Sequence, residues 1–208
     1  APPLEITAPE EDHIPTAEEA VWAQEHLQDV WDEIEKSYPI ESVRREFVHV
    51  LERLRRREIV ANISVEPNPA SSDVNCAADI RPDGKQRMTF YLLVLQRIQK
   101  NVDAETYKDV VIDCMVHENI HLEEQMLFEN PKAQYTWEEF ARGEAEAWCL
   151  TTKRVLVPLR QAGRTNTHDW GRQEALAIYD GVGANCDDPL WIEFGRTMSP
   201  YNPQGNYK

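Results

Sequence analysis

The run VVIDCMVHENIHLEEQM, residues 110–126, sets two histidines four apart, His117 and His121, with Glu118 directly after the first. On a helix, positions i and i+4 lie one turn apart on the same face, so both imidazoles can aim a ring nitrogen at one ion. Glu118 is rotated by about 100° from His117, so its carboxylate can reach a water held at that ion without binding the ion itself. Zinc lowers the pKa of such a water to about 7, which lets a neighbouring carboxylate take its proton as it attacks a carbonyl carbon. The same acid can then protonate a leaving amine. The bland alternative is a helix that merely carries two histidines. The apolar flanks count against it, because two histidines and an acid on a buried helix are costly to desolvate without a partner.

A catalytic zinc needs a third protein ligand and an open fourth position. The segment WEEFARGEAEAWCLTTKRV, from Trp137, offers Glu138, Glu139, Glu144 and Glu146. Glu144 is favoured, because it lies far enough beyond His121 for a turn and an antiparallel return of the chain. Gly143, Ala145 and Ala147 also keep its neighbourhood small enough for two helices to approach closely. Glu146 and then Glu139 follow as alternatives. An oxyanion formed during hydrolysis calls for a further donor, and His168, Tyr179, Tyr135 and Arg142 are available. His168 is preferred, since Asp169 beside it could orient the ring; a helix cap is the competing reading of that pair.

These residues need elements to hold them. Thr16-Ala-Glu-Glu19 reads as a capping box, and Ala20, Leu27, Val30, Trp31, Ile34 and Tyr38 follow at helical spacing until Pro39. A second helix is expected over 41–57, with Val43, Phe47, Val50, Leu51 and Leu54 on one face. IVANISV (59–65) alternates as a strand. NCAADI and MTFYLLV read as two more around a Pro-Asp-Gly turn, the latter running into a helix that ends near Lys100. Asp103 can cap the helix over 104–129 that carries the histidines, and a ligand helix should span 136–157 and stop before Pro158. After a loop over 161–168, a last helix is expected near 169–180. The expectation is a mostly helical α+β domain over 16–197 with a small sheet. Residues 1–15 are expected to be an extended arm and 198–208 an irregular tail.

HENIH followed by a helical GEAEAW resembles the gluzincin branch of the zincin metallopeptidases, and the resemblance covers residues 87–157. It implies that His117 and His121, with a downstream helical glutamate, bind Zn²⁺ and that Glu118 is the general base. The Glu-x-Glu-Ala pattern is similar to the ligand helix of compact members, the phage-associated and stress-regulatory metallopeptidases. In those the first glutamate is the ligand, here Glu144. Many gluzincins carry an aspartate four residues after that glutamate; this chain has Trp148, so support for a histidine ring must come from elsewhere.

Composition narrows the partners. The 208 residues carry 22 basic and 37 acidic side chains, a net charge of −15, which repels nucleic acid and anionic lipid. The one basic cluster, Arg53, Arg55, Arg56 and Arg57, is interleaved with Glu52 and Glu58 and reads as a solvated helix face. No run is long and apolar enough for a membrane span, and the start APPLEITAPEEDH lacks a signal peptide's regions. Cys76, Cys114, Cys149 and Cys186 show no CxxC spacing and do not suggest a disulfide framework or a cysteine-based zinc site, which favours a cytoplasmic home, and Cys114 and Cys149 on the two motif helices read as small buried thiols. Peptide deformylase would recruit Cys76 as a ligand, but its glycine-rich and glutamine motifs are missing. Glu46-x-x-His49 and Glu118-x-x-His121 are two halves of a di-iron signature, in the wrong order for a bundle. A zincin-like scaffold that binds a partner protein is the non-enzymatic alternative. The reading carried forward is a zinc-dependent peptidase with peptide or protein substrates.

Overall fold

A computed structural model describes residues 16–65, 68, 73–81, 83–124, 136–164 and 170–199. The expected arm over 1–15, the tail beyond Ser199, Tyr135 and His168 lie outside the described residues.

The chain forms a mostly helical α+β fold with a small sheet, as its periodicities indicate. The first helical stretch runs as α1 (Ala17–Ala23), a π-helical turn (Gln24–Gln28) and α2 (Asp29–Ser37). It turns at Pro39 into α3 (Glu41–Arg55), which buries the expected Val43, Phe47, Val50, Leu51 and Leu54. Three strands follow: β1 (Ile59–Ser64), β2 (Cys76–Ile80) and β3 (Gln86–Tyr91). Their order is β1-β3-β2, with β1 and β3 parallel and β2 antiparallel at the edge. β3 passes without a turn into α4 (Leu92–Asn101), and the Asp103 carboxylate accepts the backbone N–H of Thr106 to start α5 (Ala104–Glu124).

α5 is the centre of the molecule. Ile112, Met115 and Leu122 are fully buried, and α3, β2 and the following helix all pack on α5. That following helix, α6 (Trp137–Thr151), begins with a capping box in which Thr136 and Glu139 bond each other's backbone N–H groups. Contrary to the expectation that Pro158 ends it, the helix continues through a π-helical turn (Thr152–Leu156) into α7 (Val157–Gln161). Pro158 thereby falls in the opening turn of a new helical segment, where its missing N–H costs nothing. α8 (Trp170–Val182) matches the expected last helix, but a further helix, α9 (Pro189–Met198), packs on α6. Asp188 caps α9 by accepting the Leu190 N–H, with Pro189 at the first position. One buried cluster extends from Leu27 on the first helical stretch to Phe194 on α9.

The cysteine expectation is overturned. Cys76 on β2 is bonded to Cys114 on α5, and Cys149 on α6 to Cys186 before α9, so no described cysteine is free. The bonded residues lie 38 and 37 positions apart. Only the fold brings such distant residues together, and local spacing carries no trace of it.

Candidate metal centre

α5 delivers the two histidines from inside the core. Three of its buried polar residues are matched to other elements, while the Tyr107 hydroxyl and Asp113 Oδ1 have no hydrogen-bond partner among the described residues. Asp109 accepts from the Tyr38 hydroxyl at 2.5 Å and from Arg164 at 2.7 Å; Asp113 pairs with Arg172; and Asn119 accepts from Arg53 at 2.5 Å. Gln86 on β3 donates to the Leu122 carbonyl at 3.0 Å near the helix end. Partnered in this way, a helix buried on nearly every side carries most of these polar groups at depth.

α6 delivers the third group from the other side. Glu144 stands one turn before Trp148 among the buried Gly143, Ala145 and Ala147. Its carboxylate lies 3.2 Å from His121 Nε2 and 3.5 Å from His117 Nε2. One donor atom from each of His117, His121 and Glu144 falls within 4.8 Å of the others. Burial raises the Glu144 pKa, but His121 and His117 outweigh it and hold the carboxyl well below the usual range. Burial pulls His121 down, and the facing Glu144 more than reverses this, lifting the imidazole to about 9. The Glu144 carboxylate so held is an anion, and a bound cation would meet it in place of the His121 proton.

Glu118 does not join the three. Burial pushes its carboxyl above the ordinary range, against the pull of His121 and His117, and the backbone N–H of Ala78 on the edge strand bonds it. A carboxylate so placed is available to hold a proton beside the ligands.

Of the alternatives for the third position, Glu139 is committed to the helix cap, and Glu146 is half-exposed, its carboxyl raised by burial and by Glu124 and Asp187. Arg142 is exposed and Tyr179 packs against the core. His49, the second half of the di-iron pattern, is exposed and pairs with Glu123, and Cys76 is taken up in its disulfide.

Three features of the site were not anticipated. The Trp148 ring meets the His117 ring edge-on at 5.0 Å and packs in turn on Phe194. Thr151 Oγ1 lies 3.4 Å from His117 Nδ1. Gly195 on α9 sits so close to α6 that an added Cβ would clash with the Ala141 carbonyl and with Ala145. Only Thr151 left a signal in the sequence, standing two helical turns beyond Glu144 and so on the same face. The chain matches no protein-family model, and no curated protein or solved structure matches it.

Proposed function

We propose that this chain is a zinc-dependent hydrolase whose substrates are peptides or proteins. The observation that carries the reading is the convergence of His117, His121 and Glu144, donor atoms within 4.8 Å, with Glu118 beside them but not among them. The donor set fits zinc: two imidazoles and one carboxylate make the three-ligand arrangement of catalytic sites and leave one position for water or substrate. Bound there, the ion would polarise a substrate carbonyl and acidify a water.

The chain's own groups supply the rest. His117 and His121 present Nε2 and Glu144 its carboxylate to one point. Glu118, its pKa raised by burial, takes a proton from the attacking water and passes it to the departing amine. The Ala78 N–H keeps that carboxylate oriented. The edge position of β2 leaves one side of that strand unpaired within the sheet, in keeping with an extended peptide lying alongside.

No described helix is long and apolar enough to cross a membrane. The two disulfides support an oxidising compartment outside the cytoplasm, against the cytoplasmic expectation, because cytosolic thiols are kept reduced.

The test is metal analysis of the purified chain together with a peptide-hydrolysis assay on the wild type and on Glu118→Gln. The amide keeps the shape of the side chain and cannot accept the proton. Zinc near one per chain in both proteins is expected, with turnover in the variant down at least about 100-fold, the usual worth of a general base. Undiminished turnover in Glu118→Gln would remove the base from the mechanism. Absence of stoichiometric metal in the wild type would remove the whole reading.

A further inference from the structure

An imidazole can offer Nε2 to a metal only if its proton sits on Nδ1, and the partner of that Nδ1–H fixes both tautomer and ring direction. Beside His117 the Trp148 ring packs edge-on, centroids 5.0 Å apart, and an indole offers Nδ1–H no acceptor atom. Thr151 lies one turn nearer the C-terminus of α6 and is completely buried. Its hydroxyl donates to the Ala147 carbonyl at 2.6 Å, which leaves the oxygen lone pairs free, and that oxygen faces His117 Nδ1 at 3.4 Å. Since Ala147 consumes the only hydroxyl proton, the contact to His117 has one consistent polarity: Nδ1–H donates and Thr151 accepts.

We propose that Thr151 is the positioning residue of the metal centre, a neutral hydroxyl locked by the Ala147 carbonyl that holds His117 with Nε2 unprotonated and aimed at Glu144. The inference rests on the zinc reading above. With the Nδ1 proton held by Thr151, His117 Nε2 would turn a lone pair toward the Glu144 carboxylate 3.5 Å away. A bound cation would then take the place that an Nε2 proton fills when no metal is present. Thr151 ends the regular α-helix, and the π-helical turn begins at the next residue. Wider π-helical turns recur at functional sites.

The test compares Thr151→Val, which keeps the shape and removes the acceptor, with Thr151→Ser, which keeps the hydroxyl. Thr151→Ala stands in if the valine variant does not fold. Zinc affinity is measured by competition with a chromophoric chelator, apo stability by thermal unfolding. In the zinc-loaded protein, exchange of the His117 Nδ1 proton is followed by NMR. The expected result is a loss of zinc affinity of at least about 10-fold in Thr151→Val, the scale of an outer partner of a ligating histidine. Nδ1 proton exchange should be faster, the apo melting temperature unchanged, and affinity restored in Thr151→Ser. Equal affinity in wild type and Thr151→Val overturns the proposal and leaves the zinc site standing. A loss that Thr151→Ser fails to restore, or that merely follows the apo melting temperature, overturns it as well. A wild-type chain that binds no zinc removes the site and the proposal together.

Discussion

The two helices that meet at the candidate metal centre are held in place by different physics. α5 runs through the middle of the core, with Val110, Val111, Ile112, Met115, Val116 and Ile120 buried on all sides and Asp109, Asp113 and Asn119 each given a partner. α6 alternates instead: Ala141, Gly143, Ala145, Ala147 and Cys149 are buried, while Glu144, Glu146 and Trp148 are partly buried between them. Its position comes from close approach. α9 presses on it at Gly195, where only a glycine leaves room for the Ala141 carbonyl and Ala145. Two of the candidate ligands and the proposed base therefore belong to the most deeply embedded element, whereas the third candidate ligand belongs to a helix placed by steric contact from outside. Global stability should thus depend mainly on α5's polar partners, and ligand geometry mainly on what clamps α6.

The largest effect should come from Arg172→Ala, which leaves the Asp113 carboxylate on α5 buried without its ion-pair partner. Breaking a buried pair on one side costs about 3–5 kcal/mol, readable as a drop in unfolding free energy by denaturant titration. Zinc affinity of the molecules that remain folded should be unchanged, since the pair lies a full turn from His117. A variant of normal stability and poor zinc affinity would show that α5, too, is held for geometry.

Next come the disulfides. Each closes a loop of similar length, 38 and 37 residues, so chain entropy assigns them similar stabilisation, about 2–4 kcal/mol. Their effects on the site should differ. Replacing Cys76 and Cys114 by Ala frees β2 from a helix that is anchored many other ways. Replacing Cys149 and Cys186 frees α6 from the loop that leads into α9. Zinc affinity should therefore fall more in the second double variant, and equal losses would refute the difference drawn between the helices.

Gly195→Ala should follow. Forcing a methyl against backbone costs about 1–3 kcal/mol, and because α6 must shift to admit it, zinc affinity should fall as well. Isothermal titration of the folded variant gives that number directly. A stable variant that binds zinc normally would mean α6 can yield without moving Glu144.

The same division explains what could be read from the sequence. α5, its cap at Asp103 and the pair His117 and His121 announce themselves through period and spacing along one element. α3 and the strands are equally visible, since each buries its own periodic face. Glu144 could be favoured but not separated from Glu146 by spacing alone, because the choice depends on which face of α6 α9 leaves turned toward α5. α9 itself is marked only by Asp188-Pro189, and the two disulfides by nothing local. Pro158 misleads because a π-helical turn absorbs it, a tertiary accommodation that propensity does not register. Thr151 sits at a legible spacing, yet its role emerges only once His117 from another helix stands over it.

The smallest effect tests whether the α6 clamp is steric or electrostatic. Arg196 on α9 makes two hydrogen bonds to the Glu138 carboxylate in the first turn of α6, both 3.0 Å, and lies over the Trp137 ring. Geometry alone would suggest a strong tie. Both side chains are substantially exposed, however, and solvent and salt screen such pairs until many contribute nothing measurable. Arg196→Ala should therefore leave the unfolding midpoint within experimental scatter and zinc affinity unaltered, at low and at high salt alike. A loss of zinc binding that appears only at low ionic strength would assign part of the clamp to charge. The weight placed on Gly195 would then have to be shared with Arg196.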